Sequence, residues 1–135
     1  MRPTSPLAPL CAAMALALSG PPTAQAADPS FDCARAEHEI ETLICGDARL
    51  AALDREIARL YGLARNGPHM DEAQAGRLAA YQRGWIKGRN DCWKAGAADA
   101  EKIACAADES MIRIMELRQG YADARADDAA GISGG

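Results

Sequence analysis

Aromatic side chains are scarce in this chain of 135 residues, which has one phenylalanine, two tryptophans and three tyrosines. Each large aromatic buries about 150–250 Å², so a core with few of them depends strongly on each one that it contains. Residues 81–93, which hold both tryptophans and one of the tyrosines, are therefore the stretch around which we expect the fold to be organised.

Residues that carry chemistry are also few. The chain has two histidines, and it contains neither a phosphate-binding glycine loop nor a His-Glu-x-x-His zinc motif. His38 lies between two glutamates, which is typical of a surface position. Carboxylates are abundant, but their spacing does not separate a catalytic pair from a solvated surface. The sequence thus predicts a protein that is not an enzyme and that needs neither a cofactor nor a metal ion.

The first 26 residues have the pattern of a secretory signal peptide. A basic residue, Arg2, precedes an apolar run at 7–18, and Ala-Gln-Ala at 24–26 is the small-x-small pattern of a cleavage site. A retained membrane anchor is the alternative, but the run is well short of the roughly 20 residues that span a bilayer. We therefore predict a periplasmic or secreted protein with no membrane association after cleavage.

Cleavage after residue 26 would leave one domain at 27–125 and, by composition, a disordered tail at 126–135. The mature chain would keep 14 basic and 19 acidic residues, because the removed segment contains one basic and no acidic residue. An acidic exported protein is a poor ligand for nucleic acid or an anionic membrane, whereas opposite charge would steer a basic partner toward it. The alternative is that the charge only maintains solubility.

Four cysteines remain after cleavage: Cys33, Cys45, Cys92 and Cys105. An even number in a short exported chain indicates disulfides, for which four cysteines allow three connectivities. In one unbroken helix Cys33 and Cys45 would be about 18 Å apart, whereas a disulfide needs Cα atoms within about 7 Å. Either the chain folds back between them or they pair elsewhere; we favour the local pairs Cys33–Cys45 and Cys92–Cys105. A zinc site is the less favoured alternative, because there is no Cys-x-x-Cys pair.

Apolar residues recur at three- and four-residue intervals along the mature chain, and no stretch alternates as a strand would. We predict an all-α fold, a small disulfide-stapled antiparallel domain of three long helices plus a short N-terminal helix that ends near Gly46. Asp47 and Asp71 are the expected N-caps of the first two long helices, and Asp54 is expected on the solvent side. The predicted core residues are Leu53, Ile57, Tyr81, Trp85, Ile114 and Leu117.

The cysteine and tryptophan spacing carries a family resemblance. Gln82, Trp85, Arg89 and Cys92 form a Gln-x-x-Trp-x-x-x-Arg-x-x-Cys motif. Further matching positions are Phe31, Asp32, Cys33, Ala34, Arg35, Ala36, Glu41, Ile44, Cys45, Leu50, Leu53, Asp54 and Tyr61 before the motif, and Cys105, Asp108, Arg113, Ile114, Glu116 and Leu117 after it. From about residue 31 to 117 the chain resembles the lysozyme inhibitor LprI family. One departure is Ser110, where an aromatic residue is usual.

The resemblance implies a small helical exported domain with lysozyme as a possible partner and inhibition of lysozyme as its activity. The competing hypothesis is a non-catalytic cell-envelope binding or structural module without activity on lysozyme. Among the surface residues, Glu37, Glu39 and Glu41 of the first helix would form a broad acidic collar that a basic partner could bind. The alternative is that these carboxylates are solvated charges with a favourable position near a helix N-terminus.

Overall fold

The computed structural model describes residues 28–68 and 70–129. This part of the chain forms α1 (Glu39–Gly46), α2 (Ala48–Arg65), α3 (Glu72–Asn90) and α4 (Asp99–Ala129), with 3-10 turns at Cys33–Arg35 and Asp91–Lys94. It contains no strand, so the predicted all-α fold of one short and three long helices is confirmed. No helix within these residues is sufficiently long and apolar to span a bilayer.

Two boundaries drawn from the sequence fall at the ends of the described chain. The predicted signal peptide at 1–26 lies outside it. The predicted disordered tail at 126–135 lies partly outside it, since the structure describes nothing beyond Ala129. Helix α4 continues to Ala129 and so passes the boundary placed at 125; the alanine-rich sequence there favours helix.

Side-chain caps set where the helices begin. Asp47 accepts a hydrogen bond from the Leu50 backbone N–H at 2.9 Å, and Asp71 accepts one from the Gln74 N–H at 2.7 Å. Each satisfies a backbone donor that has no partner within its helix. The two N-caps expected from the sequence are therefore present at the starts of α2 and α3.

The disulfides join Cys33 to Cys45 and Cys92 to Cys105, with Cα–Cα distances of 5.9 and 5.6 Å. The first is possible because the chain turns in the 3-10 segment Cys33–Arg35 and reverses onto α1. The second closes the loop between α3 and α4. Both favoured local pairings are confirmed, and all four cysteines within the described residues form disulfides.

The buried apolar residues form two clusters along the bundle. One lies at the disulfide end and contains Ile40, Ile44, Leu50, Cys92, Ala106 and Ala107. The other lies between α2 and α4 and contains Ile57, Leu60, Ile114 and Leu117, with Leu53, Leu78 and Trp85 partly buried against it. Helix α4 contributes to both clusters, and it packs most extensively against α2.

Tyr81 is a correction to the predicted core, because its side chain is 68% exposed. The inward stripe of α3 is formed by Leu78, Gln82, Trp85 and Arg89, which recur at intervals of four, three and four residues. Tyr81 precedes Gln82 by one residue and is rotated by about 100° around the helix, toward solvent. A search for apolar residues at helical spacing misses this stripe, because two of its four members, Gln82 and Arg89, are polar.

An ion-pair bridge joins α2 to α4 at the surface and predicts an acid-sensitive part of the stability. The Glu56 carboxylate accepts hydrogen bonds from Arg59, at 2.8 and 2.9 Å, and from Arg118 at 2.9 Å. These bonds lower the pKa of Glu56 from 4.5 to about 2. Because the folded pKa is depressed, the stabilisation is present above the unfolded pKa and is lost as pH falls from about 4.5 to 2.

We expect Glu56→Gln to reduce the free energy of unfolding at pH 7 by about 1 kcal/mol, the size typical of a partly exposed pair. The loss should shrink as pH falls through the same window and vanish near pH 2, where the parent carboxyl also protonates. Urea unfolding at pH 7, 4 and 2.5 measures this, with the exposed Glu72→Gln as control. A deficit that is the same at all three pH values would contradict the bridge.

Candidate functional site

The motif residue Arg89 is buried at the junction of three helices, with 4% of its surface exposed. Its guanidinium pairs with Asp54 of α2 at 3.3 Å and lies 4.0 Å from Glu41 of α1. It also stacks on the Trp85 ring, with 5.1 Å between the guanidinium carbon and the ring centroid. A planar cation that must pair and stack at the same time requires arginine rather than lysine.

Asp54 extends this network to the segment before α1. Its second carboxylate oxygen accepts hydrogen bonds from the Ser30 backbone N–H at 2.7 Å and from the Ser30 hydroxyl at 2.5 Å. Asp54 is 7% exposed, so the sequence-based expectation that it faces solvent is wrong. Its neighbours Arg55 and Glu56 are polar, and a run of three polar residues is typical of a solvent-facing turn. In the structure, however, the Asp54 side chain lies on the side of α2 that faces Arg89.

The charges of the network shift its pKa values in defined directions. Burial raises the pKa of Glu41, but hydrogen bonds from the backbone N–H groups of His38 and Glu37 and the charge of Arg89 outweigh it, so the pKa is lowered. Burial lowers the pKa of Arg89, and the charges of Asp54 and Glu41 oppose that effect. The two carboxylates thereby compensate the buried cation, which would otherwise cost several kcal/mol.

The other motif residues tie α3 to α4. Gln82 accepts two hydrogen bonds from the buried Arg113, at 3.1 and 2.9 Å. The Trp85 indole N–H donates to the Glu109 carbonyl at 3.1 Å, and Cys92 forms the disulfide with Cys105. Every residue of the Gln-x-x-Trp-x-x-x-Arg-x-x-Cys motif thus makes a contact between helices, which identifies the motif as a structural one.

Ser110, the departure from the family pattern, is accommodated in the core. It is 4% exposed, and its hydroxyl donates to the Ala106 carbonyl one turn earlier at 2.7 Å. The buried oxygen therefore has a partner within its own helix. The small side chain lies on the inward face of α4 between Ala106 and Ile114.

The predicted acidic collar is divided by the structure into residues with different roles. Glu41 is largely enclosed: it caps α1 by accepting from the His38 and Glu37 N–H groups, at 3.2 and 3.1 Å, and it faces Arg89. Glu39 is about half exposed and pairs with Lys102 of α4, which is itself buried. Glu37 is exposed.

Helix α4 adds a carboxylate to this region, because Lys102 also lies 3.8 Å from Asp99. Its hydrogen bond to Glu39 raises the pKa of Lys102, and the charges of Glu39 and Asp99 add to that effect while burial opposes it. Glu37, Glu39 and Asp99 are the exposed carboxylates of what we call the acidic end. Among the described residues, no group of three or more His, Cys, Asp or Glu side chains is arranged to hold a metal ion.

A second surface feature is an open groove of about 620 Å³ between α3 and α4. Its α3 wall includes Tyr81, Trp85 and two glycines, and its α4 wall includes Glu109 and Ile112. A Cβ atom at Gly84 or Gly88 would meet nothing within 4 Å, so no side chain covers the backbone of α3 at these two positions. Sequence reasoning did not predict the groove, since no residue period marks a gap between helices.

Comparison with known proteins identifies the family but no near relative. The model of the family described as Lysozyme inhibitor LprI matches residues 33–118, a region that begins at Cys33 and contains the whole helix-tying motif. Searches of curated proteins and of solved structures gave no significant match. With the match covering more than half of its length, the chain belongs to the lysozyme inhibitor LprI family.

Proposed function

We propose that this protein is exported, loses residues 1–26 as a signal peptide, and binds and inhibits lysozyme in the periplasm or outside the cell. The observation that carries the proposal is the match to the lysozyme inhibitor family over residues 33–118. Two disulfides in so small a domain suit an oxidising compartment. The acidic excess suits a basic partner, and animal lysozymes are basic proteins.

We infer that the partner surface lies outside the shared motif. Arg89 is buried and paired with Asp54 and Glu41, and the Trp85 indole N–H is bonded to the Glu109 carbonyl, so the polar groups of both side chains are already engaged within the bundle. The acidic end is the better candidate, since Glu37, Glu39 and Asp99 present carboxylates from α4 and from the start of α1. Charges of this kind raise association rates by steering the encounter, and the effect is screened by salt.

The steering hypothesis predicts a slower association for Glu37→Lys. Glu37 is exposed, and its carboxylate takes part in none of the described helix contacts, so the fold should be unchanged. Glu41, by contrast, is unsuitable for this test because its loss would uncap α1 and leave Arg89 undercompensated. At low ionic strength we expect the association rate with lysozyme, measured by surface plasmon resonance, to fall several-fold, because electrostatic steering is worth orders of magnitude in total.

Glu72→Lys is the matched control for this measurement. It makes the same charge change at the start of α3, while α3 approaches α1 at its other end, about 27 Å away along the helix. The control should associate at close to the parent rate, and added salt should bring all three rates together. Equal slowing of both variants, or of neither, would place the binding surface away from the acidic end.

The competing proposal is a binding or structural module of the cell envelope that does not act on lysozyme. One observation favours it: the four residues of the Gln-x-x-Trp-x-x-x-Arg-x-x-Cys motif make contacts within the bundle, so they stabilise the fold without specifying a partner. Neither proposal includes a catalytic step. A binding measurement between the purified protein and lysozyme distinguishes the two proposals, because only the first predicts binding.

A further inference from the structure

The outward face of the α3–α4 pair carries exposed apolar side chains between basic residues on α3 and acidic residues on α4. Tyr81 on α3 is 68% exposed, and on α4 Ile112 is 47% and Met115 62% exposed. Ile112 and Met115 are three residues apart and therefore neighbours on one side of α4. Ile112 and Tyr81 also line the groove, so the apolar surface is continuous across both helices.

The charges that border this face differ in sign between the two helices. The exposed residues at the α3 border are basic, Arg77 and Lys87, and those at the α4 border are acidic, Asp108 and Glu116. Lys87 lies on the same side of α3 as Gly84, and Asp108 on the same side of α4 as Ile112, at helical spacing. We name the surface made by these four residues with Tyr81, Ile112 and Met115 the α3–α4 face.

The two helices are antiparallel, and cross-contacts fix their register. Trp85 bonds to Glu109 and Gln82 to Arg113. Extended along both helices, this antiparallel register brings Arg77 level with the region of Glu116 and Lys87 level with Asp108. Each of these two basic residues of α3 thus has an acidic residue of α4 at its own height along the bundle.

The geometry points to a second copy of this chain as the occupant of the α3–α4 face. A two-fold axis parallel to the helices would place α3 of one copy over α4 of the other and form an antiparallel four-helix bundle. That operation preserves height, so Lys87 would meet Asp108 of the second copy, and Arg77 would meet Glu116 of the second copy. Both pairs would occur twice, because the interface is isologous.

The apolar and glycine positions fit the same arrangement. Tyr81 is level with the stretch of α4 that carries Ile112 and Met115, and would pack on those residues of the second copy. Gly84 and Gly88 would allow the backbones to approach closely, since nothing occupies the space of their absent Cβ atoms. Two helices about 25 Å long and 8–10 Å apart cover about 500 Å² per copy. This is at the low end for specific complexes, so a weak dimer whose population depends on concentration is expected.

Charge reversal tests the dimer and its symmetry together. Sedimentation equilibrium of the exported, disulfide-bonded chain should show a concentration-dependent monomer–dimer equilibrium. Lys87→Glu and Asp108→Lys should each weaken it at least 10-fold, because each homodimer then contains two like-charge contacts. Arg65→Glu, an exposed change of the same kind on α2, should leave it unaltered. Circular dichroism melting confirms that each variant is folded.

Mixing the two reversed variants gives the decisive result. In the mixed dimer both contacts between positions 87 and 108 pair opposite charges, so an equimolar mixture should recover dimer that neither variant forms alone. A parent chain that remains monomeric at several hundred micromolar would overturn the inference. So would a dimer that is indifferent to both reversals, or a mixture that shows no recovery. None of these outcomes depends on lysozyme binding.

Discussion

Replacement of Arg89 by alanine is expected to lower the free energy of unfolding by about 3–5 kcal/mol, the cost of breaking a buried ion pair by removing one partner. The variant would leave Asp54 buried without its cation at 3.3 Å and would remove the group that stacks on Trp85. Because small domains are stable by about 5–15 kcal/mol, this loss is a large share of the total. Urea unfolding at pH 7 measures it.

A double-mutant cycle separates the pair from the packing. Asp54→Ala alone should also be strongly destabilising, and the Asp54→Ala, Arg89→Ala double variant should lose less than the sum of the two single losses. Arg89→Lys keeps the charge but lacks the planar fork, so it should fall between parent and alanine variant. Additive losses would mean that Arg89 and Asp54 act independently and that the network is not a unit.

Trp85→Ala is expected to cost about 3 kcal/mol or more, toward the lower part of the range for aromatic truncation because the side chain is only partly buried. The indole ring packs against the α2–α4 cluster, and its N–H donates to the Glu109 carbonyl at 3.1 Å. Trp85→Phe should retain most of the packing and lose the hydrogen bond, for a deficit of about 1 kcal/mol. Thermal melts of the parent, Trp85→Phe and Trp85→Ala should give melting temperatures that fall in that order.

The second tryptophan is the matched control. Trp93 is 47% exposed in the 3-10 turn Asp91–Lys94, and its ring has Lys94 as neighbour at 5.5 Å. Trp93→Ala should therefore change stability by about 0.5 kcal/mol or less, as surface substitutions usually do. If Trp85→Ala melts within a degree or two of the parent while Trp93→Ala does not, the assignment of core and surface tryptophans is reversed.

The helices, their caps and the disulfides followed from the sequence because each depends on local rules. Asp47 and Asp71 precede amphipathic runs, and a short hydrogen bond to the backbone is available to any aspartate in that position. The local cysteine pairs followed from the reach of the chain, once a turn after Cys33 was allowed. Such features involve residues within about a dozen positions of one another.

The buried charges could not be derived in the same way. Arg89 and Asp54 are 35 residues apart, and Arg113 and Gln82 are 31 apart. Their burial depends on which helix faces which, and side-chain periodicity does not specify that. Tyr81 was misplaced for the same reason, since an inward stripe that contains Gln82 and Arg89 has no simple apolar signature.

The candidate partner surface was only partly predictable. Three glutamates near the start of α1 suggested one acidic collar, but Glu41 is drawn inward by Arg89 and Glu39 is paired with Lys102. What is left at the acidic end is Glu37 with Glu39 and Asp99. Family membership suggests which class of protein is the partner. The motif residues stabilise the helical bundle and do not themselves form the candidate partner surface.

The most direct test of the proposed function is lysis of bacterial walls by lysozyme in the presence of the purified, disulfide-bonded protein. The fall in turbidity should slow in proportion to added protein and approach full inhibition at micromolar concentration, and higher salt should weaken the effect. Chain that has been reduced and alkylated should not inhibit. Undiminished lysis at micromolar protein, across several types of lysozyme, would contradict the account and favour an envelope-binding module.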